Sequence, residues 1–476
     1  MKSNSLPQVS LSTAFRLGLF NLGLGLMAVL TLAVLNRVMI SELGIPAVVT
    51  AGTLAMAQFI APARIWFGQL SDSKPLFGYH RTGYVRCGVV FFGLAVFLAV
   101  QVVWQLGNFM QENGEWIWNY QTIGLTALLG LIFAIYGLAT SSSSTPFTAL
   151  LVDISEEDNR SRLVSIVWSM LMVGIVIGGI SGKVVFKQLE AIADNLTTIP
   201  LATLQNSINS VFLYVPFIVL ALAFIATWGI EKKYSRFRRR SFSYNSKRED
   251  NITLKQALSI LTSSRQTGIF FSFLCLFTIG LFMQEAVLEP YGGEVFGMTI
   301  AQSTQLNAFW GIGILFGYSA TGFWVIPRLG KKLTTKIGCL LVAICFGLII
   351  LAGLTQEPKI LQSAMVLFGI ATGIGTIGGI SLMLDLTAAE TAGTFIGAWG
   401  LAQAMSRALA TLMGGVVLDI GKNLFSSPLF AYSLVFTLQA IGMLLATLIL
   451  EQINVTEFKE NTDKAIATVM EGDLDA

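Results

Sequence analysis

Twelve apolar runs, each about as long as one membrane-crossing helix, constrain this chain more than any other feature of its sequence. A bilayer core about 30 Å thick requires roughly 20 apolar residues in a helix. Strands of a membrane barrel would be about half as long and would alternate in polarity, which these runs do not. The sequence therefore predicts an all-α membrane protein. The runs lie near 17–40, 46–68, 84–104, 123–145, 163–184, 210–230, 268–288, 305–327, 333–354, 360–384, 394–418 and 429–450.

The composition agrees with a membrane protein and argues against a soluble one. The chain is 54% hydrophobic and 12% charged, whereas a soluble domain carries about 25% charged residues. Its Lys and Arg residues occupy short segments between the apolar runs, which indicates a lipid bilayer and not a nucleic-acid partner. The single histidine, His80, excludes a multi-histidine metal site, so no resident metal is expected. No cysteine lies in a CxxC pair, and we expect all of them to be packing residues.

Two sets of six runs flank a polar, basic segment. We therefore divide the chain into a first six-helix half (1–230), a linker (231–266), a second six-helix half (267–450) and an acidic tail (451–476) that we expect to be mobile. The linker is either a solvated cytoplasmic loop or a contact site for anionic lipid or a partner protein. Its cations are Lys232, Lys233, Arg236, Arg238, Arg239, Arg240, Lys247, Arg248, Lys255 and Arg265.

The distribution of basic residues orients the chain in the bilayer. If the N-terminus is cytoplasmic, the inner loops are 69–83, 153–162, 231–266 and 328–332. These loops and the adjoining helix ends hold most of the Lys and Arg residues, and few lie on the outer side. Cytoplasmic loops of membrane proteins show this excess. Both termini are therefore predicted to be cytoplasmic.

Corresponding features recur in the two halves. Asp153 follows the fourth run and precedes Trp168 in the fifth, while Asp385 follows the tenth run and precedes Trp399 in the eleventh. A short basic turn also follows the second run and the eighth. Two parallel six-helix repeats explain this correspondence, and they are the arrangement of major facilitator proteins.

A few polar side chains fall inside the apolar runs, where they are costly and usually face a cavity or a partner. Gln403 and Arg407 are four residues apart and share one helix face. Arg407 lies near mid-span, so we expect it to face inward with a carboxylate or carbonyl partner. Arg64 either has a conformational role at the inner surface, or snorkels, or pairs with Asp72. Glu289 is either a ligand-facing acid or an interfacial one.

Four stretches carry a family resemblance. Arg64–Tyr84 is similar to the loop between the second and third helices of major facilitator proteins, although it is longer than the general form. Leu288–Met298, with the sequence Leu-Glu-Pro-Tyr-Gly-Gly-Glu-Val-Phe-Gly-Met, is the most specific stretch. Met383–Arg407 and its weaker counterpart Leu151–Arg162 are the others. Together they resemble the PucC-type light-harvesting assembly proteins, the bacteriochlorophyll delivery branch of the major facilitator superfamily.

The resemblance implies a membrane factor that binds or delivers chlorophyll-type pigment and assists assembly of light-harvesting or photosystem proteins. The implied cargo is chlorophyll or bacteriochlorophyll, and the implied partners are antenna or photosystem proteins in a thylakoid or photosynthetic inner membrane. The protein is not expected to be an enzyme, since no hydrolase, kinase or dinucleotide signature lies in a matching structural context. A small-solute transporter and a non-transporting assembly scaffold are the alternatives.

The implied ligand is a flat apolar macrocycle with a central magnesium, which prefers oxygen ligands and readily keeps water. Because His80 is predicted in a loop, an amide, a carboxylate, a backbone carbonyl or a water must contact that magnesium. The first candidates are Glu285, Gln284, Glu289, Gln403 and Asn307, of which Glu285 and Gln403 lead. Pro290–Gly293 should break the seventh helix at its outer end, which would either free carbonyls for a ligand or partner or simply end the helix.

The resemblance and the buried polar residues together define two sets of candidate site residues. The pigment-site candidates are Gln58, Gln284, Glu285, Glu289, Tyr291, Asn307, Trp399, Gln403 and Arg407. The candidates for an inner gate are Arg64, Asp72, Arg81, Asp153, Arg160 and Asp385.

Overall fold

A computed structural model describes residues 9–193, 201–235, 261, 263–298, 300–387 and 391–472. Across these ranges the chain is helical apart from its connecting turns and one isolated β-bridge between Leu76 and Tyr79. Eleven helices in this part of the chain are long and apolar enough to cross a membrane. The prediction of an all-α, multi-pass membrane protein is confirmed. The side of the membrane on which the termini lie stays a prediction.

The helices follow the apolar runs, with longer ends than predicted. Those of the first half are α1 (Leu11–Val29), α2 (Ala47–Phe59), α3 (Ala63–Ser73), α4 (Thr82–Asn113), α5 (Tyr120–Ile154), α6 (Glu157–Ala193) and α7 (Leu201–Thr227). Those of the second half are α8 (Arg265–Phe282), α9 (Leu288–Phe296), α10 (Ile300–Ala320), α11 (Lys331–Thr355), α12 (Pro358–Asp385), α13 (Ala392–Leu424), α14 (Pro428–Glu451) and α15 (Val455–Gly472). Helix α1 is extended by two π-helical segments, Leu30–Val34 and Val38–Glu42, and α10 by a π-helical segment, Thr321–Val325.

Cα proximity divides the chain into two compact units. The first unit comprises Met1–Ile154 and Met170–Ser243, and the second comprises Ser155–Ser169 and Tyr244–Ala476. The beginning of α6 therefore belongs to the second unit. The predicted boundary between the halves, with the linker cations from Arg236 to Lys255, lies outside the described residues and stays a prediction.

The second predicted span, 46–68, is interrupted instead of continuous. Helix α2 ends at Phe59 and α3 begins at Ala63, because Pro62 lacks the N–H that would continue the helical ladder. The amides of Ala61 and Arg64 donate to carbonyls only three residues earlier. Discontinuous membrane helices of this kind often form binding sites in transporters.

Glycines bring the backbones of α10 and α12 together in the second unit. A Cβ atom added to Gly313 would lie 2.2 Å from the carbonyl oxygen of Val366, and one added to Gly369 would lie 2.2 Å from that of Trp310. No larger residue fits at either position without moving a helix. Packing of this kind is expected in lipid, where no hydrophobic force drives helices together.

Residues 455–472 of the acidic tail form helix α15, whose first part packs on the second unit, and the expected mobility of the tail stays a prediction. Phe458 of α15 is 2% exposed, and its ring lies 5.9 Å from that of Phe395 at the start of α13. The side chain of Gln266, at the start of α8, donates to Glu457 and accepts from the amide of Asn454, both at 2.8 Å. Phe458, Thr462 and Ile466 are four residues apart, so they share one face of the helix, and all three are buried.

Candidate functional site

The seventh predicted span breaks one turn earlier than expected. Helix α8 ends at Phe282, a 3₁₀ turn covers Met283–Ala286, and α9 begins at Leu288. The expected break at Pro290–Gly293 is wrong, because those residues lie inside α9. Pro290 cannot donate to the carbonyl of Ala286, and its ring would clash with that carbonyl in a continuous helix. The helix is therefore disrupted one turn before the proline.

This break positions Glu285 opposite Arg407. The two side chains form a bidentate ion pair, with Nη2 of Arg407 2.6 Å from Oε1 of Glu285 and Nε 3.1 Å from Oε2. The guanidinium also lies 4.5 Å from the centre of the Phe282 ring. Arg407 is exposed and Glu285 is about three-quarters buried within the chain. The site therefore contains a positive charge, a negative charge and the face of an aromatic ring close together.

A buried amide adjoins the ion pair. Gln284 is 1% exposed, and neither its amide nitrogen nor its amide oxygen has a hydrogen-bond partner among the described residues. Leaving a buried polar group unpaired costs about 1–3 kcal/mol. Such a group in a folded protein calls for an explanation, such as a water or a ligand.

A second buried amide, Gln439, was not among the sequence candidates. It lies halfway along α14, is fully buried, and donates from Nε2 to the carbonyl of Gly280 at 3.0 Å. Its Oε1 atom has no partner in the described part of the chain. Gly280 lies near the end of α8, about one turn before Gln284 of the 3₁₀ turn. The signal was present in the sequence, as an amide in the middle of the run 429–450.

Tyr291 and Trp399 lie in aromatic cores. The hydroxyl of Tyr291 donates to the carbonyl of Ile349 at 2.9 Å, and its ring packs against Tyr432 and Phe436. Trp399 is fully buried, with its ring 4.2 Å from that of Phe271. These contacts favour a packing role over direct contact with a ligand for both residues.

The other pigment-site candidates are more dispersed. Gln403 lies one turn before Arg407 on α13 and is partly exposed, and Asn307 is exposed on α10. Gln58 belongs to the first unit, where it is exposed directly before the break between α2 and α3. The side chain of Glu289 lies outside the described residues. The structure thus brings Glu285, Arg407 and Gln284 to one place on the second unit.

The inner-gate candidates of the first unit form a buried charge cluster. Arg81 is fully buried and pairs with Asp72 and Asp153, each at 2.7 Å, and it donates to the hydroxyl of Ser71 at 2.6 Å. Burial alone would lower the pKa of the Arg81 guanidinium, but Asp153 and Asp72 raise it above its ordinary value. Arg81 is therefore charged. Arg64 is the second residue of α3, the helix that also carries Asp72.

Glu231 completes this cluster and was not predicted as a site residue. Its carboxylate accepts the backbone N–H groups of His80 at 2.6 Å, Arg81 at 3.1 Å and Thr82 at 2.7 Å. It therefore caps the start of α4 and fixes the backbone that carries Arg81. The only sequence signal was an acid at the edge of a strongly basic segment.

The second unit holds a corresponding cluster around Asp385. Its Oδ1 atom lies 2.7 Å from Nη1 of Arg160, and its Oδ2 atom lies 2.6 Å from Nζ of Lys331. Arg160 also donates to the carbonyl of Leu384 at 3.0 Å.

The two clusters correspond. Asp153 at the end of α5 pairs with Arg81 before the start of α4. Asp385 at the end of α12 pairs with Lys331 at the start of α11. The sequence did not predict these pairings, although they involve the acids and the basic turns that recur in its two halves.

Comparison with solved structures shows which fold this chain has. The chain aligns with a major facilitator superfamily transporter, FucP in the outward conformation, with a TM-score of 0.67, 13% identity, and coverage of 93% of this chain and 99% of that one. The fold is that of the major facilitator superfamily. A family model described as PUCC protein matches residues 34–458, and the chain therefore belongs to the PucC family.

Curated relatives agree with this membership. A protein named PucC from Rhodobacter capsulatus is 28% identical over 448 residues, which cover 92% of this chain and 91% of that protein. Another protein of that species, named bacteriochlorophyll synthase 44.5 kDa chain, is 28% identical over 445 residues, covering 91% of this chain and 93% of its own. The family resemblance found in the four sequence stretches is confirmed.

Proposed function

We propose that this protein binds chlorophyll-type pigment in a photosynthetic membrane and delivers it to antenna or photosystem proteins, without an enzymatic step. Membership of the PucC family supports this proposal, as does the name of the relative called a bacteriochlorophyll synthase chain. The observation that carries it is the pair Glu285–Arg407 beside the buried amide of Gln284.

The chemistry of these residues suits a pigment. Two of the five N–H donors of Arg407 are used on Glu285, so others are available for a ring carbonyl or an ester of the macrocycle. The Phe282 ring offers a face for stacking on a flat apolar molecule. Magnesium belongs to the cargo and prefers oxygen, which Glu285, Gln403 or the amide of Gln284 would supply directly or through water. A ligand that bonds to Gln284 would offset the cost of its unpaired amide.

Purification from a photosynthetic host in mild detergent tests the proposal. We expect pigment and antenna-type or photosystem proteins to co-purify with the wild-type protein. Glu285→Gln and Arg407→Gln variants should lose pigment absorbance while keeping their expression level, whereas Arg328→Gln, an exposed cation in the second half, should not. Wild-type protein that carries neither pigment nor such partners would contradict the proposal.

The second candidate function is transport of a small solute. The similarity to transporters of the superfamily favours it, as does the interrupted second span, in which Gln58 and Arg64 flank a break. Uptake of a soluble solute into proteoliposomes under a proton gradient would support this candidate. A third possibility, an assembly scaffold, predicts that partner proteins co-purify without pigment and that Arg407→Gln changes nothing.

A further inference from the structure

A groove lies at the N-terminal end of α8, at the opposite end of that helix from the 3₁₀ turn that carries Glu285. It has a volume of about 560 Å³. Its polar side is formed by Ser264, Arg265, Thr267 and Ser272, and its apolar side includes Ile269 and Phe271. The residue between Thr267 and Ile269 is Gly268, where an added Cβ atom would meet nothing within 4 Å. The groove is thus open along the helix surface, and most of its polar side chains lie at the start of the helix.

The polar end of the groove favours an anion. Arg265 is exposed there and is the first residue of α8, where the helix dipole supplies partial positive charge. Ser264 caps this helix start, accepting the N–H of Gln266 through its hydroxyl and that of Thr267 through its carbonyl. Thr267 also lines the groove, and it is only 3% exposed. Its hydroxyl has no hydrogen-bond partner among the described residues. An exposed cation, a helix start and an unpaired buried hydroxyl thus all belong to the first turn of α8.

The apolar part of the groove favours a hydrocarbon chain. Phe271 is partly exposed, and its ring lies 4.2 Å from the buried ring of Trp399 on α13. The groove therefore lies beside the contact between Phe271 of α8 and Trp399 of α13. A free inorganic anion would leave this surface unused, whereas a lipid would cover it.

The length of the helix places the polar end at a membrane surface. Helix α8, Arg265–Phe282, has 18 residues and is therefore about 27 Å long, close to the thickness of a bilayer core. The headgroup region of the bilayer is where an arginine at the end of such a helix meets lipid phosphates.

We propose that this groove binds an anionic phospholipid, with its phosphate at Arg265 and Thr267 and the start of an acyl chain over Gly268 and Phe271. This inference is independent of the proposed pigment function. Because Phe271 contacts Trp399, the bound lipid stabilises the packing of α8 against α13, the two segments that lead to Glu285 and Arg407.

Native mass spectrometry of the full chain, delipidated and then exposed to defined lipids, tests the proposal. We expect phosphatidylglycerol to be retained at least about fivefold more than phosphatidylcholine, which corresponds to about 1 kcal/mol. Gly268→Leu, which fills the groove, should abolish that preference. Gly347→Leu is the matched control, because an added Cβ atom at this glycine of α11 also meets nothing within 4 Å.

Two further variants keep the proposal testable should Gly268→Leu fold poorly. Arg265→Gln should remove the preference for phosphatidylglycerol, and Thr267→Val, which has nearly the same shape, should weaken it without lowering the melting temperature. Equal retention of both lipids by the wild type would overturn the proposal. So would competition by inorganic phosphate at millimolar concentration, because the groove would then be a simple anion site.

Discussion

Arg407 of α13 holds Glu285 of the 3₁₀ turn through two parallel hydrogen bonds, of 2.6 Å and 3.1 Å. Bidentate contacts between guanidinium and carboxylate are among the stronger polar interactions in proteins. The sequence predicted a carboxylate or carbonyl partner for Arg407 without identifying it, and the structure confirms the carboxylate. The pair forms because the helix break one turn before Pro290 presents Glu285 toward α13.

We expect Glu285→Gln and Arg407→Gln each to lower pigment retention by about tenfold, since each leaves a charge without its partner.

Glu289→Ala should also impair function more than Arg239→Ala, although both side chains lie outside the described residues. Complementation of a deletion strain measures this ranking. Equal complementation by all of these variants would refute it.

Reversing the pair provides the control for this prediction. The double variant Glu285→Arg, Arg407→Glu restores opposite charges at the same positions. If the pair only joins the helices, the double variant should recover function. If Arg407 donates to the ligand, function should stay low while protein levels recover, and this second outcome is the one we expect.

Gln284→Met should raise stability while lowering pigment retention. The substitution removes a buried amide that has no partner, so the free energy of unfolding should rise by about 1 kcal/mol. A fluorescence melt in detergent, run beside an absorbance measurement, reports both effects. A variant that loses stability instead would show that the amide has a structural partner.

Arg81→Ala should be strongly destabilising. It would leave Asp72 and Asp153 buried without their cation, and breaking such a buried pair costs about 3–5 kcal/mol. We expect a large fall in the yield of folded protein, measured by size-exclusion chromatography of detergent extracts. Arg328→Ala, which changes an exposed cation, is the control and should leave the yield unchanged.

Tyr291→Phe should leave function intact. It removes one hydrogen bond to the carbonyl of Ile349 and keeps the ring that packs on Tyr432, so the cost is about 1 kcal/mol of stability. Pigment absorbance per mole of purified protein measures the outcome. Loss of pigment without loss of stability would show that Tyr291 contacts the pigment.

The apolar runs predicted the helices because hydrophobic length is a local property of the sequence. The breaks were harder to predict. The run 46–68 was interpreted as one helix although it contains Pro62, since its hydropathy is continuous across the proline. The break near Pro290 was expected at the proline itself, whereas the lost hydrogen bond and the ring clash act on the preceding turn.

Contacts between residues far apart in the chain were the part of the site that the sequence could not predict. The structure brings together Arg81, Asp72 and Asp153, which the sequence had named as inner-gate candidates, and their role as a gate stays a prediction. Glu231 was missed, because its partners are backbone N–H groups about 150 positions away and have no signature in sequence. Tyr291 and Trp399 looked like ligand contacts because aromatic residues pack cores and bind pigments equally well.

The carboxylate of Glu231 has a consequence for how the protein is made. The amides that it caps, at His80, Arg81 and Thr82, are synthesised long before Glu231 leaves the ribosome. Until then, the start of the third membrane crossing has to rely on water or lipid headgroups for its hydrogen bonds. The first unit therefore reaches its final form only after Glu231 has been synthesised. During translation, the start of α4 lacks these three hydrogen bonds.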